Sequence, residues 1–219
     1  SSISLVRCRA RSNMGLKRLA NFNDPASLAS RMRRKRFALF RGLIEKLPRG
    51  SSVLDVGGTP QFWEGETLVT TGAISVTIVN LESYVSANQA IKQLACDARD
   101  MHMFADNAFD AVFSNSVIEH VGSLGDQERM AEEVQRVAPR YFVQTPNRYF
   151  PLEPHFLLPL FQFYPRRLQV ELLRRHDLGW MHRQPDYREA LREGSQIRLL
   201  NSSEMKALFP GALLYRERL

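Results

Sequence analysis

Short apolar segments recur along this chain, and most of them are followed by an acid, a glycine pair or an asparagine. They span residues 52–56, 73–80, 94–97, 109–114 and 140–144. Their length and continuous apolar character predict buried parallel strands. Helix-like sequence separates or flanks them: a first helix should run to about Leu47, and Ser202 or Ser203 should cap a short helix through Leu208. In one such segment, which we expect to follow Asp126 and to end at Pro139, Met130, Val134 and Val137 share one face. This alternation predicts an α/β fold, a doubly wound and mostly parallel sheet with helices on both faces.

The first predicted strand closes with Asp55, Gly57, Gly58 and Thr59. Glycine allows a sharp turn and a close approach of the backbone to a ligand, so we expect a ligand at this turn. A dinucleotide-binding dehydrogenase would carry G-x-G-x-x-G, but Thr59 and Phe62 stand where its second and third glycines belong. The pattern therefore disfavours a pyrophosphate site.

Two further acids follow strands. Glu82 comes at the end of the second strand, where a carboxylate can accept protons from both ribose hydroxyls, although a solvated loop acid is the alternative. Asp97 ends the third strand, where it could accept the exocyclic amine of an adenine. Ligands of open parallel sheets bind beyond the carboxyl ends of the strands, so we expect both acids to face the site of the glycine turn.

The block over residues 109–121 reads Phe-Asp-Ala-Val-Phe-Ser-Asn-Ser-Val-Ile-Glu-His-Val. Together with the order of Asp55, Gly57, Glu82 and Asp97, and with residues 140–147, it resembles the class I S-adenosylmethionine-dependent methyltransferases of type 11, related to the ubiquinone-pathway O-methyltransferases. The resemblance covers roughly residues 30–150. It implies a Rossmann-like methyltransferase fold and an enzyme that uses S-adenosyl-L-methionine and releases S-adenosyl-L-homocysteine.

The resemblance also implies roles for single residues. Gly57 and Gly58 would pass the methionine part of the cofactor, Glu82 would hold the ribose, and Asp97 with the Ala98 backbone would hold the adenine. Asn115 and Ser116 would line the wall near the sulfonium. The implied cofactor residues are Asp55, Gly57, Gly58, Thr59, Glu82, Asp97, Ala98, Asn115 and Ser116.

The chain departs from the family in two places. Thr59 and Gln61 replace the later glycines of the family's G-x-G-x-G loop, so the shape of this loop is the least predictable part of the site. The family's sheet also ends with an antiparallel seventh strand, whereas the last strand we assign is a sixth, over residues 212–215. We therefore expect the last antiparallel strand to be absent or incomplete.

Two histidines are candidate catalytic bases. Methyl transfer needs an aligned acceptor, and a hydroxyl acceptor also benefits from a base, for which imidazole has a suitable pKa. His120 should lie one turn into the helix after the fourth strand, and His155 follows the fifth strand. Alternatively, His120 only closes the loop and His155 only packs. Glu119 and His120 could ligate a divalent ion, but a third ligand at a persuasive spacing is missing, and we predict no metal.

We expect one methyltransferase domain over residues 1–219. Its parts are an N-terminal extension at 1–29, a cofactor-binding core at 30–150, a substrate-specifying helical cap at 151–195 and a return to the sheet edge at 196–219. The apolar run at 156–161 is typical of a core. Because Arg166, Arg167, Arg174 and Arg175 follow it, contact with a membrane-linked or anionic acceptor stays open.

The net charge of +7 and the pI of about 9.8 raise the question of a nucleic-acid partner. The densest basic cluster, residues 31–36, begins an amphipathic helix, which favours a solvated helix face. No apolar run approaches the roughly 20 residues of a membrane-spanning helix, and no secretory signal is evident. Cys8 and Cys96 lie far apart, which fits a reducing compartment, and we expect a cytoplasmic protein.

The sequence leaves three alternative functions to be tested. The first is O-methylation of a small molecule or glycan. The second is methylation of RNA or DNA, although Ser114, Asn115, Ser116 and Val117 stand where amino-methylating base enzymes carry an Asn/Asp-Pro-Pro-aromatic motif. The third is cofactor binding without catalysis. The sequence leaves the oligomeric state open.

Overall fold

The computed structural model describes residues 24, 26–82 and 90–217. Cys8 and most of the expected N-terminal extension, residues 1–29, lie outside the described residues. The chain packs into two compact units. We call Gly42–Asn147 with the described residues from Gln196 onward the sheet unit, and Arg148–Ser195 with the described residues up to Arg41 the helical unit. Each is described by itself.

The sheet unit contains five strands: β1 Ser51–Val56, β2 Ile74–Asn80, β3 Ile91–Ala95, β4 Ala111–Asn115 and β5 Tyr141–Gln144. Their order is β3-β2-β1-β4-β5, and all four pairings are parallel. The order reverses between β1 and β4, which is where open α/β sheets place their ligands. The predicted doubly wound sheet is confirmed, with each strand within three residues of its expected start.

The helices are α1 Leu28–Ile44, α2 Pro60–Trp63, α3 Thr67–Thr70, α4 Leu124–Val137, α5 Arg166–Arg175, α6 Tyr187–Glu193 and α7 Ser202–Leu208. Two 3-10 helices span Ile118–His120 and Phe161–Phe163, and a two-residue pair, β6 Leu152–Glu153 and β7 Leu158–Pro159, runs antiparallel. None of the helices in the described part of the chain has the length and apolarity needed to cross a membrane.

One face of the sheet is covered by α4 and α7. The buried side chains of this core include Leu54, Val56, Val112, Met130, Val134, Leu208 and Phe209. Full burial of each large aliphatic or aromatic side chain contributes about 1.5–3 kcal/mol, so this layer is a principal source of stability for the sheet unit. This layer packs against both β1 and β4, which are neighbours in the sheet.

Three helix ends differ from the expected ones, and capping side chains decide two of them. Asp126 does not precede α4: Ser123 is the N-cap and accepts the Asp126 N–H at 3.2 Å, while Asp126 accepts the Ser123 N–H at 2.8 Å. This reciprocal capping box starts the helix at Leu124. Asn201, not either of the following serines, caps α7. The first helix ends at Ile44, three residues before the expected Leu47.

The predicted sixth strand over residues 212–215 is wrong. These residues form no strand, and Leu213 is fully exposed while Tyr215 is 68% exposed. A short apolar run forms a strand only where a neighbouring strand and a core accept it, and Leu213 finds neither. In the described residues the main sheet ends at β5, so no antiparallel strand continues it there.

The helical unit has its own small core. Phe156, Leu157 and Phe161 are nearly completely buried, which confirms the expectation that the run at 156–161 is mainly core. The Arg166 guanidinium on α5 donates to the Gly194 carbonyl at 2.6 Å and to the Leu191 carbonyl at 2.9 Å. These bonds satisfy carbonyls at the end of α6 and tie the two helices together.

Candidate functional site

The turn after β1 requires both of its glycines for packing reasons. Gly57 has a φ of +80°, and a Cβ there would lie 2.5 Å from a methyl carbon of Val117. At Gly58 a Cβ would lie only 1.7 Å from an Asp55 carboxylate oxygen. The Gly57 N–H donates to the Val79 carbonyl at 2.7 Å, and this backbone hydrogen bond joins the turn to β2. Side chains of the chain itself, Val117 and Asp55, fill the space that a larger residue would need.

Asn80, the last residue of β2, holds the outer side of this turn. Its side-chain Nδ2 lies 3.4 Å from the carbonyl oxygens of both Gly57 and Gly58, and its Oδ1 accepts the Leu81 N–H at 2.8 Å. The two 3.4 Å bonds are long. The sequence interpretation missed this residue. Its signal was present, since an amide at the end of an apolar strand follows the same rule as the acids at the other strand ends.

Asp55 is buried at the carboxyl end of the central strand. The indole N–H of Trp63, itself fully buried, donates to its carboxylate at 2.6 Å. Burial raises the pKa of Asp55 to about 7, because the charged form has lost water, and the Trp63 hydrogen bond opposes this rise. The carboxyl is therefore close to half protonated at neutral pH. Trp63 was not predicted as part of the site.

Aromatic rings explain the low polarity around Asp55. In the sheet, Asp55 is level with Phe113, and Phe113 with Phe142, so the three side chains share one face. The Phe113 ring stacks on Phe142 at 5.8 Å and on Phe62 at 5.5 Å, while Trp63 meets Phe113 edge-on at 5.7 Å. These rings exclude water from the carboxyl. Thr59, between the turn and α2, is exposed.

The loop after β4 lies against the glycine turn. Asn115 ends the strand, and Ser116 adopts a left-handed φ of +59°, which is uncommon for a residue with a side chain. Gln144 of β5 fixes it, because its backbone carbonyl accepts the Ser116 N–H and its side-chain oxygen accepts the Ser116 hydroxyl, both at 2.9 Å. This conformation leads into Val117, which packs on Gly57. The structure thus brings the predicted loop 115–116 and the predicted glycine turn together.

A buried carboxylate anchors the 3-10 helix that carries His120. Glu119 is fully buried, and the Thr145 hydroxyl donates to its Oε2 at 2.9 Å. The Glu119 backbone carbonyl accepts the Arg198 N–H at 2.8 Å. His120 itself is exposed, and its N–H donates to the Val117 carbonyl at 2.8 Å. His120 therefore lies in a short 3-10 helix and not, as expected, one turn into a longer helix.

The two acids expected at the ribose and the adenine differ in their surroundings. Glu82 is exposed, and residues 83–89, which follow it, lie outside the described residues. Asp97 is held by Arg99, whose Nε donates to both carboxylate oxygens at 2.9 and 3.0 Å and whose backbone N–H donates at 2.9 Å. These hydrogen bonds hold the pKa of Asp97 below its usual range. Ala98 packs against the sheet core.

His155 belongs to the helical unit. Its Nδ1 lies 2.7 Å from Glu153 Oε1. Glu153 Oε2 accepts the backbone N–H groups of His155 and Phe156 at 2.8 and 2.7 Å. The Glu153 side chain is only 2% exposed. A carboxylate buried in this way fixes the orientation of the imidazole ring.

Residues 62–140 match the family described as "Methyltransferase domain". The match begins after the glycine turn, so it does not include Asp55 or Thr59. Two uncharacterized proteins of Mycobacterium tuberculosis, from strains CDC 1551 and H37Rv, are each 28% identical over 143 residues, which is 60% of this chain. The chain spans about half the length of these relatives, since the alignment covers 47% of each.

Among solved structures, an S-adenosylmethionine-dependent methyltransferase of Methanosarcina mazei is 21% identical at a TM-score of 0.35, covering 44% of this chain and 51% of that one. A phosphoethanolamine N-methyltransferase 2 of Haemonchus contortus, in complex with S-adenosyl-L-methionine, is 19% identical at a TM-score of 0.36. That match covers 59% of this chain and 31% of the other.

Proposed function

We propose that this chain, which carries a class I S-adenosylmethionine-dependent methyltransferase domain, transfers the methyl group of that cofactor to a hydroxyl of a small molecule or glycan. One observation carries the proposal. At the point where the strand order reverses, the Asp55 to Gly58 turn is held between Val117 and Asn80, which fixes its backbone at the carboxyl end of the central strand.

The residues at this edge fit the cofactor's chemistry. Gly57 and Gly58 present backbone to its methionine part, with Asn115 and Ser116 as the neighbouring wall. Glu82 is exposed, so its carboxylate is available to the ribose hydroxyls. Asp97 keeps a lowered pKa and so stays ionised, and an adenine amine would share this carboxylate with Arg99. The Ala98 backbone completes the adenine contact.

S-adenosylmethionine, when bound, supplies an electrophilic methyl group. The chain's own part is to orient the acceptor and to take the proton from its hydroxyl. We assign the second task to a histidine, His120 or His155, and the contact with Glu153 supports His155. A carboxylate 2.7 Å from Nδ1 holds the imidazole ring in one orientation, as a positioned base requires.

Binding of S-adenosylhomocysteine, measured by calorimetry, tests the cofactor site. Gly58→Ala forces the turn away from Asp55 and should weaken binding at least about tenfold. Asn80→Ala removes the side-chain bonds to the Gly57 and Gly58 carbonyls without introducing a clash, and it should also weaken binding of S-adenosylhomocysteine. Gly65→Ala is the matched control, because a Cβ there meets nothing within 4 Å. If Gly58→Ala and Asn80→Ala bind S-adenosylhomocysteine as tightly as the Gly65→Ala control, the glycine turn is not part of the cofactor site.

The base is tested by methyl-transfer assays on sugar, phenol and lipid-linked acceptors with His120→Ala, His155→Ala and Glu153→Gln. Loss of a general base costs about 100-fold or more in turnover. We expect this loss for His155→Ala, a smaller loss for Glu153→Gln, and unchanged cofactor binding for both. Product formation that survives in the His120 and His155 double variant would disprove the assignment of either histidine.

A further inference from the structure

In the helical unit, several large apolar side chains between Arg148 and the first turn of α5 are exposed. We call Tyr149, Leu160, Phe163 and Leu168 the apolar patch. Their exposed fractions are 64%, 49%, 45% and 45%. Leu160 is followed in sequence by the buried Phe161, so the same stretch of chain supplies both the core of the unit and its apolar surface.

The apolar patch is held in place by specific contacts. The rings of Tyr149 and Phe163 stack at 5.9 Å, and the Arg148 guanidinium lies 5.9 Å from the Phe163 ring centre. Leu160 takes a left-handed φ of +54°, and its N–H donates to the Pro151 carbonyl at 2.8 Å. A leucine in this conformation is strained, so the fold holds it against its own preference. The exposure is therefore a fixed property of the surface.

Gln162 links two parts of the segment that carries the apolar patch. Its side-chain Nε2 donates to the backbone carbonyls of Arg148 at 2.8 Å and Phe150 at 3.0 Å. These bonds join the segment that carries Tyr149 to the 3-10 helix that carries Phe163. The two aromatic rings are thereby presented together on one rigid support.

Along the segment that carries the apolar patch, the exposed charges have one sign. From residue 148 to residue 168 the bases are Arg148, Arg166 and Arg167, and the sole acid is Glu153. Glu153 is buried and engaged by His155, so it adds no surface charge to oppose the arginines. Arg167 is exposed. The patch is therefore apolar at its tips and positive at its flanks.

We propose that the apolar patch docks on the surface of a bilayer containing anionic lipids. Leucine and aromatic tips would enter the boundary between head groups and acyl chains, and Arg148 and Arg167 would contact lipid phosphates. Amphipathic aromatic rings and long basic side chains suit that boundary. The surface is independent of the proposed methyl transfer, and it would bring the protein to acceptors that reside in or near membranes.

Co-sedimentation with vesicles tests the proposal. The full chain should bind vesicles of phosphatidylcholine with phosphatidylglycerol and not vesicles of phosphatidylcholine alone. Leu160→Asn with Phe163→Ser should abolish this binding, and asparagine tolerates the left-handed backbone. Arg167→Gln should weaken binding about fivefold. Leu213→Ser, at a fully exposed leucine of the sheet unit, is the control and should bind as the unaltered chain does.

Hydrogen exchange on the unaltered chain avoids any folding effect of a substitution. Anionic vesicles should slow exchange over residues 148–168 and leave residues 212–217 unchanged. Three results would overturn the proposal: equal binding to neutral vesicles, unchanged binding by the double variant, or a dimer in solution that the double variant dissociates. The last would assign the patch to a second copy of the chain.

Discussion

At the scale of single residues, Asp55 is the most informative group. It combines a position at the end of the central strand with nearly complete burial and one strong hydrogen bond from Trp63. The sequence identified Asp55 because an acid before a glycine pair is a recognisable pattern. It did not identify Trp63, because the glycine turn and the short helix α2 bring the indole back to the carboxyl eight residues later, and that return is visible only in three dimensions.

The pKa of Asp55 predicts how stability varies with pH. The folded-state pKa is about 7, against about 3.8 for an unperturbed aspartate, so the folded chain binds this proton more tightly than the unfolded chain. Asp55 therefore lowers stability as pH rises from about 4 to about 7, and above pH 7 the penalty is complete. At 1.36 kcal/mol per pKa unit, the penalty is on the order of 4 kcal/mol.

Asp55→Asn should remove this penalty, because asparagine carries no titrating proton and still accepts the Trp63 N–H. We expect the variant and the unaltered chain to have similar free energies of unfolding at pH 4, and the variant to be the more stable at pH 8. Urea denaturation at several pH values measures the difference. Parallel curves for the two proteins between pH 4 and pH 8 would refute the assigned pKa.

At the scale of elements, capping side chains decide where helices begin. The sequence predicts the positions of these caps only approximately. Ser123→Ala breaks the capping box of α4 and should cost about 1 kcal/mol in the free energy of unfolding. Ser203→Ala is the control: that serine was an expected cap of α7, but Asn201 provides the cap instead, so little change should follow. Thermal and urea unfolding measure both. Equal losses in the two variants would contradict the observed caps.

Strands were predicted well because continuous apolar runs are a local signal. The five strands and their parallel arrangement followed from residues such as Val53 and Ile78, which the sheet buries completely. The failure at residues 212–215 has a physical cause: a short apolar run shows that a strand is possible, but not whether a partner strand exists. Thr145 and Glu119 were missed as a pair because they lie 26 residues apart and meet only when β4 and β5 align.

At the scale of the whole molecule, ligand binding should raise stability by mass action. A ligand that binds only the folded state at 100 times its dissociation constant adds about 2.7 kcal/mol. For a chain of 219 residues this corresponds to a rise in Tm of about 5–10 °C. We expect this rise with S-adenosylhomocysteine and none with NADH, whose glycine motif the chain lacks. Calorimetric melting checks both, and stabilisation by NADH alone would favour a dinucleotide site.

The Trp63 contact also gives the protein an internal fluorescent reporter. The chain has two tryptophans, of which Trp63 is fully buried and Trp180 is 42% exposed, so iodide should quench the second selectively. The remaining emission comes from an indole whose N–H is bonded to the Asp55 carboxyl. Its colour and intensity should follow the proton on that carboxyl through neutral pH. The state of the central turn can thus be observed in solution without any label.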